Sequence, residues 1–286
     1  MPFKMISEAD LAYFRSVLPA SLVLTDADEL ARCASDETED LRCPPEIVLQ
    51  PENTRQLSQI MRYCSEQMIA VTPRGAGTGL SGGALPVMGG VVVDMRRFNK
   101  ILNIDVRNFQ VTTEPGVITQ VLQEAVLEKG LFYPPDPASR GSCFIGGNVS
   151  ENSGGPRAVK YGTVKDYVLN LELVLPNGEV IWTGANVLKN ATGYNLTQLL
   201  VGSEGTLGII TKIVLRLIPA VTNDLLLLVP FRSAVSACEA VNAIIMAGYI
   251  PSALEFMERD ALEWSMRYTQ VQGIDLPGDI QAHLLI

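Results

Sequence analysis

Histidine is almost absent from this sequence: its 286 residues contain one, His283. A zinc site built on imidazole ligands, or a serine–histidine–aspartate triad, would depend on that residue alone. The five cysteines are odd in number and none forms a CxxC pair, so disulfide frameworks, zinc ribbons and iron–sulfur ligation are not expected. We therefore predict no metal site and reduced, mostly packed cysteines.

Long apolar runs and an excess of positive charge are missing too. Stretches such as residues 225–229 are far shorter than the roughly 20 residues that cross a bilayer, so no transmembrane segment is predicted. The first residues lack a basic leader followed by an apolar run, which predicts no secretory signal and a cytoplasmic location. Lysine and arginine total 22 against 31 acidic residues, giving a net charge of -9. Nucleic acid is therefore not an expected partner.

Apolar side chains make up 47% of the sequence, enough to bury a large core in more than one unit. Residues 1–40 predict a leading helix, with Leu11, Phe14 and Leu18 at helical spacing, followed by an acidic stretch. We interpret this segment as an N-terminal helical appendage.

The rest of the chain divides near Pro219, which is followed by polar residues. Residues 41–219 form the main domain. Residues 220–286 repeat a strand–helix–strand pattern and end in an apolar run, so we expect a second, incomplete α+β domain.

Apolar periodicity predicts the elements of both domains. A helix after Asn53 carries four apolar residues on one face, namely Leu57, Ile60, Met61 and Cys64. Strands are expected at 47–49, 68–72, 91–95, 101–105, 110–114, 168–175, 179–182, 208–217, 225–229 and 253–257, and further helices at 118–129 and 234–247. The strand at 208–217 is apolar throughout and should be central. Asn177-Gly178 predicts a type I′ hairpin turn, and the segment 133–155 a long functional loop.

The first candidate site is a glycine loop, in which Gly77-x-Gly79-x-x-Gly82 matches the dinucleotide fingerprint. A Rossmann unit needs a helix directly after these glycines, whereas here the chain leads into a strand. No Lys-Ser or Lys-Thr follows, so a P-loop is excluded as well. What remains is a strand–loop–strand whose backbone amides can converge on a phosphate, with a flexible glycine turn as the alternative.

Two further segments combine glycines with polar residues. In the first, residues 134–155, glycine pairs would let the backbone approach a flat ring or a phosphate closely, and polar side chains could orient the ligand, namely Asp136, Ser139, Asn148, Asn152 and Ser153. The alternative is a polar surface loop. In the second, residues 202–210, glycines open a buried strand and could admit an adenine or a ribose.

Together the three loops resemble the FAD-binding domain of the vanillyl-alcohol oxidase / p-cresol methylhydroxylase (PCMH) superfamily, and within it the FAD subunits of glycolate oxidases and the D-lactate dehydrogenases. The resemblance rests on PRGAGTGLSGGALP, DPAS, IGGNVSENSGGPRAVKYGTVKDYVL, VLKNATGYNL and GSEGTLGIIT. It covers residues 43–219 and continues weakly into the cap domain. It implies an α+β fold, in which a two-subdomain PCMH-type FAD-binding domain is followed by the start of an α+β cap domain.

The resemblance also implies which residues hold the FAD. The pyrophosphate would be bound by the backbone amides of Arg74, Gly75, Ala76, Gly77, Thr78, Gly79 and Leu80. The flavin would be lined by Asp136, Ser139, Gly146, Gly147, Asn152, Ser153 and Gly154. The adenosine side would be held by Glu204, Gly205, Thr206, Ile209 and Ile210. Some relatives attach FAD through a histidine near the position of Thr78, so we expect non-covalent binding here.

The implied activity is oxidation of a D-2-hydroxy acid such as glycolate or D-lactate by hydride transfer to flavin N5. In the family, the groups that bind substrate and remove its proton come from later segments, which we do not find, so no catalytic residue is assigned and little turnover is expected. The alternative is a truncated or accessory FAD-binding protein. Expected partners are the small acid, an electron acceptor and other oxidase subunits, through which the chain could associate with the inner membrane.

Overall fold

The computed structural model describes residues 3–273 and 276–286. The chain divides into two compact units. The first comprises Met1–Tyr133, Pro137–Ser153 and Val164–Ala220, and the second comprises Pro134–Asp136, Gly154–Thr163 and Val221–Ile286. Helices and strands are mixed in both, so the predicted α+β class is confirmed. Each unit is described by itself.

A four-stranded sheet forms the first half of the first unit, in the order β1-β2-β4-β3. Its strands are β1 (Val23–Leu24), β2 (Ile47–Leu49), β3 (Val71–Arg74) and β4 (Val91–Asp94). Both β2 and β3 run parallel to β4, so their carboxyl ends meet at one edge. The helix α3 (Thr54–Glu66) begins where predicted, because the Asn53 side chain accepts a hydrogen bond from the Gln56 amide, and it buries the four predicted apolar residues.

The N-terminal segment is an integral part of this unit, which differs from the appendage that we expected. Helix α1 (Glu8–Val17) is capped by Ser7 and places Phe14 in the same buried cluster as Leu57 of α3. Tyr13 stacks on Tyr63 of α3 with ring centroids 3.8 Å apart. A short helix, α2 (Ala27–Arg32), lies within the acidic stretch that follows α1. The periodicity of α1 showed an apolar face, and that face is used against α3.

The second sheet of the first unit is antiparallel, with the order β5-β6-β10-β8-β9. It contains β5 (Ile101–Asp105), β6 (Gln110–Thr113), β8 (Val168–Val174), β9 (Val180–Trp182) and β10 (Ile209–Arg216). Strand β10 is central, as predicted. Helix α4 (Thr119–Leu127) and the pair of β7 (Leu131–Phe132) with β11 (Ile218–Pro219) complete this region.

Two local predictions about this half of the unit were wrong. In the hairpin between β8 and β9, Gly178 has a positive φ and Asn177 does not, so the turn is not type I′; the Gly178 amide instead donates to the Leu175 carbonyl (2.9 Å), as in a type I turn followed by a left-handed glycine. The predicted long loop contains a helix, α5 (Ile145–Glu151), which ends at Asn152 in the left-handed conformation (φ 51°). Helix α7 (Leu196–Leu200) follows farther along.

The second unit is a three-stranded antiparallel sheet with helices. Strand β14 (Ala282–Leu285) lies between β12 (Leu228–Phe231) and β13 (Glu255–Glu258), and the helices are α6 (Ala158–Tyr161), α8 (Ala234–Met246) and α9 (Arg259–Thr269). Helix α8 packs on the sheet around Ala237, Ala282 and Leu284. His283 is buried between Pro230 and Met257 of the neighbouring strands.

Candidate functional site

A pocket opens in the first unit at the carboxyl end of the parallel strands β3 and β4, where ligands of open α/β sheets commonly bind. It holds about 950 Å³ of space, counting the open solvent at its mouth. Three segments line it: the glycine loop after β3, helix α5, and the loop before β10. The pocket therefore brings together the three segments that the sequence singled out.

Arg74, the last residue of β3, holds the start of the glycine loop in place. Arg74 is 5% exposed, and its guanidinium donates to the backbone carbonyls of Ser35 (2.8 Å) and Arg32 (3.3 Å). Burial lowers the pKa of Arg74. Gly77 has φ +75°, and a Cβ there would collide with this guanidinium. The loop can take this path only with glycine at position 77.

Gly79 differs from Gly77, although the sequence suggests the same role for both. Gly79 does not have a positive φ, and a Cβ added to it would lie 3.8 Å from Glu151 Oε1, an ordinary van der Waals distance. The protein itself therefore leaves room for a side chain at position 79. Any requirement for glycine there would have to come from a bound ligand.

Helix α5 forms the facing wall of the pocket. A Cβ on Gly75 of the glycine loop would lie 3.9 Å from the Cα and the amide nitrogen of Gly147, so the two backbones approach each other closely. A Cβ on Gly146 would lie 2.5 Å from Cβ of Pro115, whereas a Cβ on Gly147 would meet nothing within 4 Å. Gly146 is thus needed for packing, and Gly147 leaves open space.

The third segment is tied to the other two. Glu204 takes a left-handed conformation (φ 52°), and its amide donates to the Ser150 carbonyl of α5 (3.0 Å). Gly205 also has a positive φ (75°), and a Cβ there would lie 2.5 Å from Cγ of Pro73 in β3. Backbone rather than side chains thus lines much of the pocket, which suits a ligand that must be approached closely.

Three carboxylates, of Asp36, Glu151 and Glu204, line the pocket as well. Among the residues that the structure describes, none of the three takes part in an ion pair. Burial and the nearby charges of Glu204 and Asp36 raise the pKa of Glu151, opposed by a hydrogen bond from the Ser81 hydroxyl. The binding of an anion here would therefore depend on backbone amides.

The structure brings most of the predicted cofactor residues to the pocket. Those that line it are Arg74, Gly75, Ala76, Gly77, Thr78, Gly79, Ser139, Gly146, Gly147, Ser153, Glu204, Gly205, Ile209 and Ile210. Leu80, Asn152 and Thr206 belong to the first unit without lining the pocket, and Asp136 and Gly154 belong to the second unit. There, Asp136 is buried against Arg157, with 3.4 Å between Oδ2 and Nε.

Other lining residues were not assigned from the sequence, among them Asp36, Met95, Pro115 and Cys143. Asp36, Met95 and Pro115 come from segments without a recognisable motif, so no local signal marked them. Asn148, which the sequence indicated as a polar group of the second glycine-rich segment, lines the pocket as well. Over the described residues, no group of three or more histidine, cysteine or acidic side chains could hold a metal ion.

Comparison with known proteins supplies the family. The sequence profile described as "FAD binding domain" matches residues 45–184, and the profile "FAD linked oxidases, C-terminal domain" matches residues 222–286. The chain belongs to the family of FAD-linked oxidases. FAD is the cofactor of this family's first domain, and a backbone-lined pocket between glycine segments fits such a cofactor.

Three relatives show the range of this FAD-linked oxidase family. The chain is 45% identical to the glycolate oxidase subunit GlcD of Bacillus subtilis, over 88% of the chain and 53% of the relative. It is 41% identical to a D-lactate dehydrogenase of Anaerostipes hadrus, over 84% and 51%. It is 36% identical to a probable mitochondrial D-2-hydroxyglutarate dehydrogenase of Oryza sativa subsp. indica, over 96% and 49%. The chain thus spans about half the length of these curated relatives.

The fold also matches solved structures. The structure of an alkyldihydroxyacetonephosphate synthase superposes with a TM-score of 0.85 at 19% identity, over 100% of this chain and 57% of that one. At this identity the likeness concerns the fold alone. As for membranes, the described part of the chain contains no helix with the length and apolarity of a spanning segment.

Proposed function

We propose that this chain is the FAD-binding part of an oxidoreductase that acts on a D-2-hydroxy acid of the glycolate or D-lactate type. The observation that carries the proposal is the pocket, in which three glycine-rich segments present backbone to one ligand-sized space. When bound, FAD would supply the hydride acceptor, its N5 atom. The chain's own residues would bind and orient the cofactor.

The proposed assignments follow the walls of the pocket. The loop from Arg74 to Leu80 would donate amides to the pyrophosphate, α5 and its flanking residues would pack along the flavin, and residues 204–210 would hold the adenosine side. No histidine lines the pocket, which supports non-covalent binding. Residues 134–136 and 154–163 are held together by the pairing of Asp136 with Arg157.

The group that takes the proton from the substrate hydroxyl is not assigned. His283, the only histidine of the sequence, is 2% exposed, and its Nδ1 has no hydrogen-bond partner among the residues that the structure describes. Burial, with a contribution from Arg259, lowers the pKa of His283, so a neutral imidazole is favoured at pH 7. Because the chain spans half of its relatives, the second candidate function is an FAD-binding protein without turnover of its own. If the chain oxidises the acid, the electrons would leave the flavin to an acceptor or to other oxidase subunits.

The test begins with the visible absorption of the purified chain, which should show a flavin spectrum. Anaerobic addition of D-lactate or glycolate then separates the two candidates: bleaching supports the oxidoreductase, and a stable spectrum supports the accessory protein. His283→Ala shows whether any bleaching depends on the imidazole. A folded chain that binds no FAD would contradict both candidates.

The glycine loop provides the mutational test. Gly77→Val should abolish FAD binding, because valine is disfavoured at φ +75° and its Cβ would meet the Arg74 guanidinium. Gly130→Val is the matched control, since Gly130 has φ +71°, has nothing within 4 Å of an added Cβ and lies outside the pocket. FAD per folded chain is measured by absorbance. Stoichiometric FAD in a folded Gly77→Val protein would show that this loop is not part of the FAD site.

A further inference from the structure

We infer that Asn148 is a specificity-determining residue of the pocket, whose side-chain carbonyl accepts a hydrogen bond from a ring N–H of the cofactor. The inference rests on the proposed binding of FAD. It adds that the ring beside Asn148 must carry a hydrogen-bond donor. Asn148 lies in the middle of α5 and lines the pocket beside Gly146 and Gly147, where the backbone leaves room for a flat ligand.

Nearly every polar group of Asn148 is already used within the protein. The residue is 3% exposed. Its backbone amide donates to the Phe144 carbonyl (3.1 Å), and its backbone carbonyl accepts from the Ser153 amide (2.9 Å). The side-chain Nδ2 donates to the hydroxyl of Thr119 (2.5 Å). Only the side-chain Oδ1 has no partner among the described residues, and it is not sealed inside the protein.

The hydroxyl of Thr119 fixes which way the Asn148 amide points. Thr119 Oγ1 lies 3.4 Å from the Cys143 carbonyl oxygen and 3.2 Å from its Sγ. Since a hydroxyl has one hydrogen, donating it to Cys143 leaves Thr119 as an acceptor toward Asn148. With the Thr119 hydrogen donated to the Cys143 carbonyl, a flipped amide would place two acceptors against each other. Nδ2 therefore faces Thr119, and Oδ1 is left for the pocket.

An amide oxygen held in this way selects for a donor. A ligand that leaves it unpaired loses a hydrogen bond and keeps the cost of removing that oxygen from water. The phosphates of FAD cannot donate. Its hydroxyl donors lie on the ribityl and ribose chains, whereas the donors on its flat rings are the imide N3–H of the flavin and the exocyclic 6-amino group of the adenine. The open space at Gly147 suits a flat ring, and both N–H groups have the same chemistry toward Oδ1.

The experiment compares dissociation constants for FAD and two analogues on the apoprotein. In 3-methyl-FAD a methyl group replaces the flavin N3–H, and in the hypoxanthine analogue an oxygen replaces the adenine amine. We expect one analogue to bind the wild type about tenfold more weakly than FAD, which would identify the ring. Equal binding of both analogues and FAD would overturn the inference.

Two variants show whether the affinity difference between FAD and its analogue arises from a hydrogen bond or from a steric effect. Asn148→Leu keeps a side chain of similar size without an acceptor, so FAD affinity should fall and the difference between FAD and the discriminated analogue should shrink to within about twofold. Discrimination that persists in this variant would be steric and would overturn the inference. Thr119→Val leaves the Asn148 amide free to rotate. The difference in affinity between FAD and the discriminated analogue should therefore fall, although no residue that lines the pocket is changed.

Thr183→Val is the matched control for Thr119→Val. Thr183 is also buried and hydrogen-bonded to a neighbouring hydroxyl, that of Thr197 (2.8 Å), but it lies outside the pocket, so it should leave discrimination unchanged. Folding of each variant is checked by near-ultraviolet circular dichroism. If Asn148→Leu does not fold, the binding of FAD and its analogues to the wild type and to Thr119→Val still tests the inference. A folded wild type without FAD affinity would contradict the proposed function rather than this inference.

Discussion

The two units differ in how much apolar surface each buries for itself. In the first unit, one cluster combines large, fully buried side chains from helices and sheet, such as Phe14, Leu57 and Ile60. In the second unit, the corresponding cluster contains Ala237, Ala282 and Leu284. Tyr268 of the second unit is 90% exposed and Met246 is 78% exposed. The first unit therefore has a core of its own, whereas the second leaves much apolar surface uncovered.

This difference bears on function because the pocket lies within the first unit. Burial of apolar surface stabilises a fold by roughly 25 cal/mol per Å², so the rigid positioning that a cofactor needs is expected where the large side chains are buried. Exposed apolar patches are typical of surfaces that contact another protein or a further part of the same one. We therefore expect FAD binding to follow the stability of the first unit and to be less sensitive to the second.

The largest expected effect comes from replacing a buried leucine by alanine in the core of each unit. Leu57→Ala in α3 should lower the free energy of unfolding by about 4 kcal/mol, because the dense cluster cannot close around the cavity. Leu284→Ala in β14 should cost about 2 kcal/mol, because its smaller, more open cluster can relax. Chemical denaturation measures both, and FAD content should fall in the first variant alone. Equal losses of unfolding free energy in the two variants, or a loss of FAD in Leu284→Ala, would contradict the difference between the two units.

The next effect tests whether the N-terminal segment belongs to the core of the first unit. Asp10 is fully buried and accepts hydrogen bonds from Lys4 Nζ (2.7 Å), the Tyr63 hydroxyl (2.8 Å) and Ser7. Burial alone would raise the pKa of Asp10, but these hydrogen bonds outweigh it and the pKa is lowered. Asp10→Asn should therefore cost about 3 kcal/mol of stability at pH 7.

The pH dependence of this variant has a definite sign. A carboxyl whose pKa is lowered by folding contributes stability above its unfolded pKa and loses that contribution as the pH falls toward its folded value. The difference in unfolding free energy between wild type and Asp10→Asn should thus be complete at pH 7 and shrink steadily below about pH 4. Glu8→Gln, an exposed change in the same helix, is the control. A difference that does not vary with pH would contradict the assignment.

Elements with a strong local signal could be predicted from the sequence. Helix α3 has both a capping asparagine and a one-sided apolar face, and β10 is mostly apolar, so each was predicted with its type and place. Helix α5 was missed because its sequence contains Gly146 and Gly147, which disfavour an isolated helix. Its burial of Ile145 and Val149 stabilises it instead, and such tertiary packing is not visible in a local pattern.

The same distinction applies to the pocket. Glycines at positions such as Gly77 and Gly205 mark backbone that must turn sharply, so the sequence indicated the loops that carry them. Asp36 and Met95 reach the pocket through the fold from parts of the chain outside the three segments, and nothing in their neighbours marks them. The role inferred for Asn148 likewise depends on Thr119, 29 residues away.

The smallest expected effect concerns the charge of the pocket. Glu151 lines it near Glu204, and burial followed by that neighbouring charge raises the pKa of Glu151. If the diphosphate of FAD binds here, one negative charge fewer should favour it. Glu151→Gln should therefore bind FAD about threefold more tightly at low salt, which is the size expected for charges several ångströms apart in a water-like environment.

The pH and salt dependence show whether this effect is electrostatic. Because the pKa of Glu151 is raised, the wild-type carboxylate takes up a proton more readily as the pH falls, so the advantage of Glu151→Gln should be larger at alkaline pH than at acidic pH. It should also shrink as salt screens the charges. Glu128→Gln, which removes the same charge from an exposed position outside the pocket, should leave FAD affinity unchanged. An equal gain in both variants would show that net charge acts on the whole molecule, and weaker binding by Glu151→Gln would show that this carboxylate accepts a hydrogen bond from the ligand.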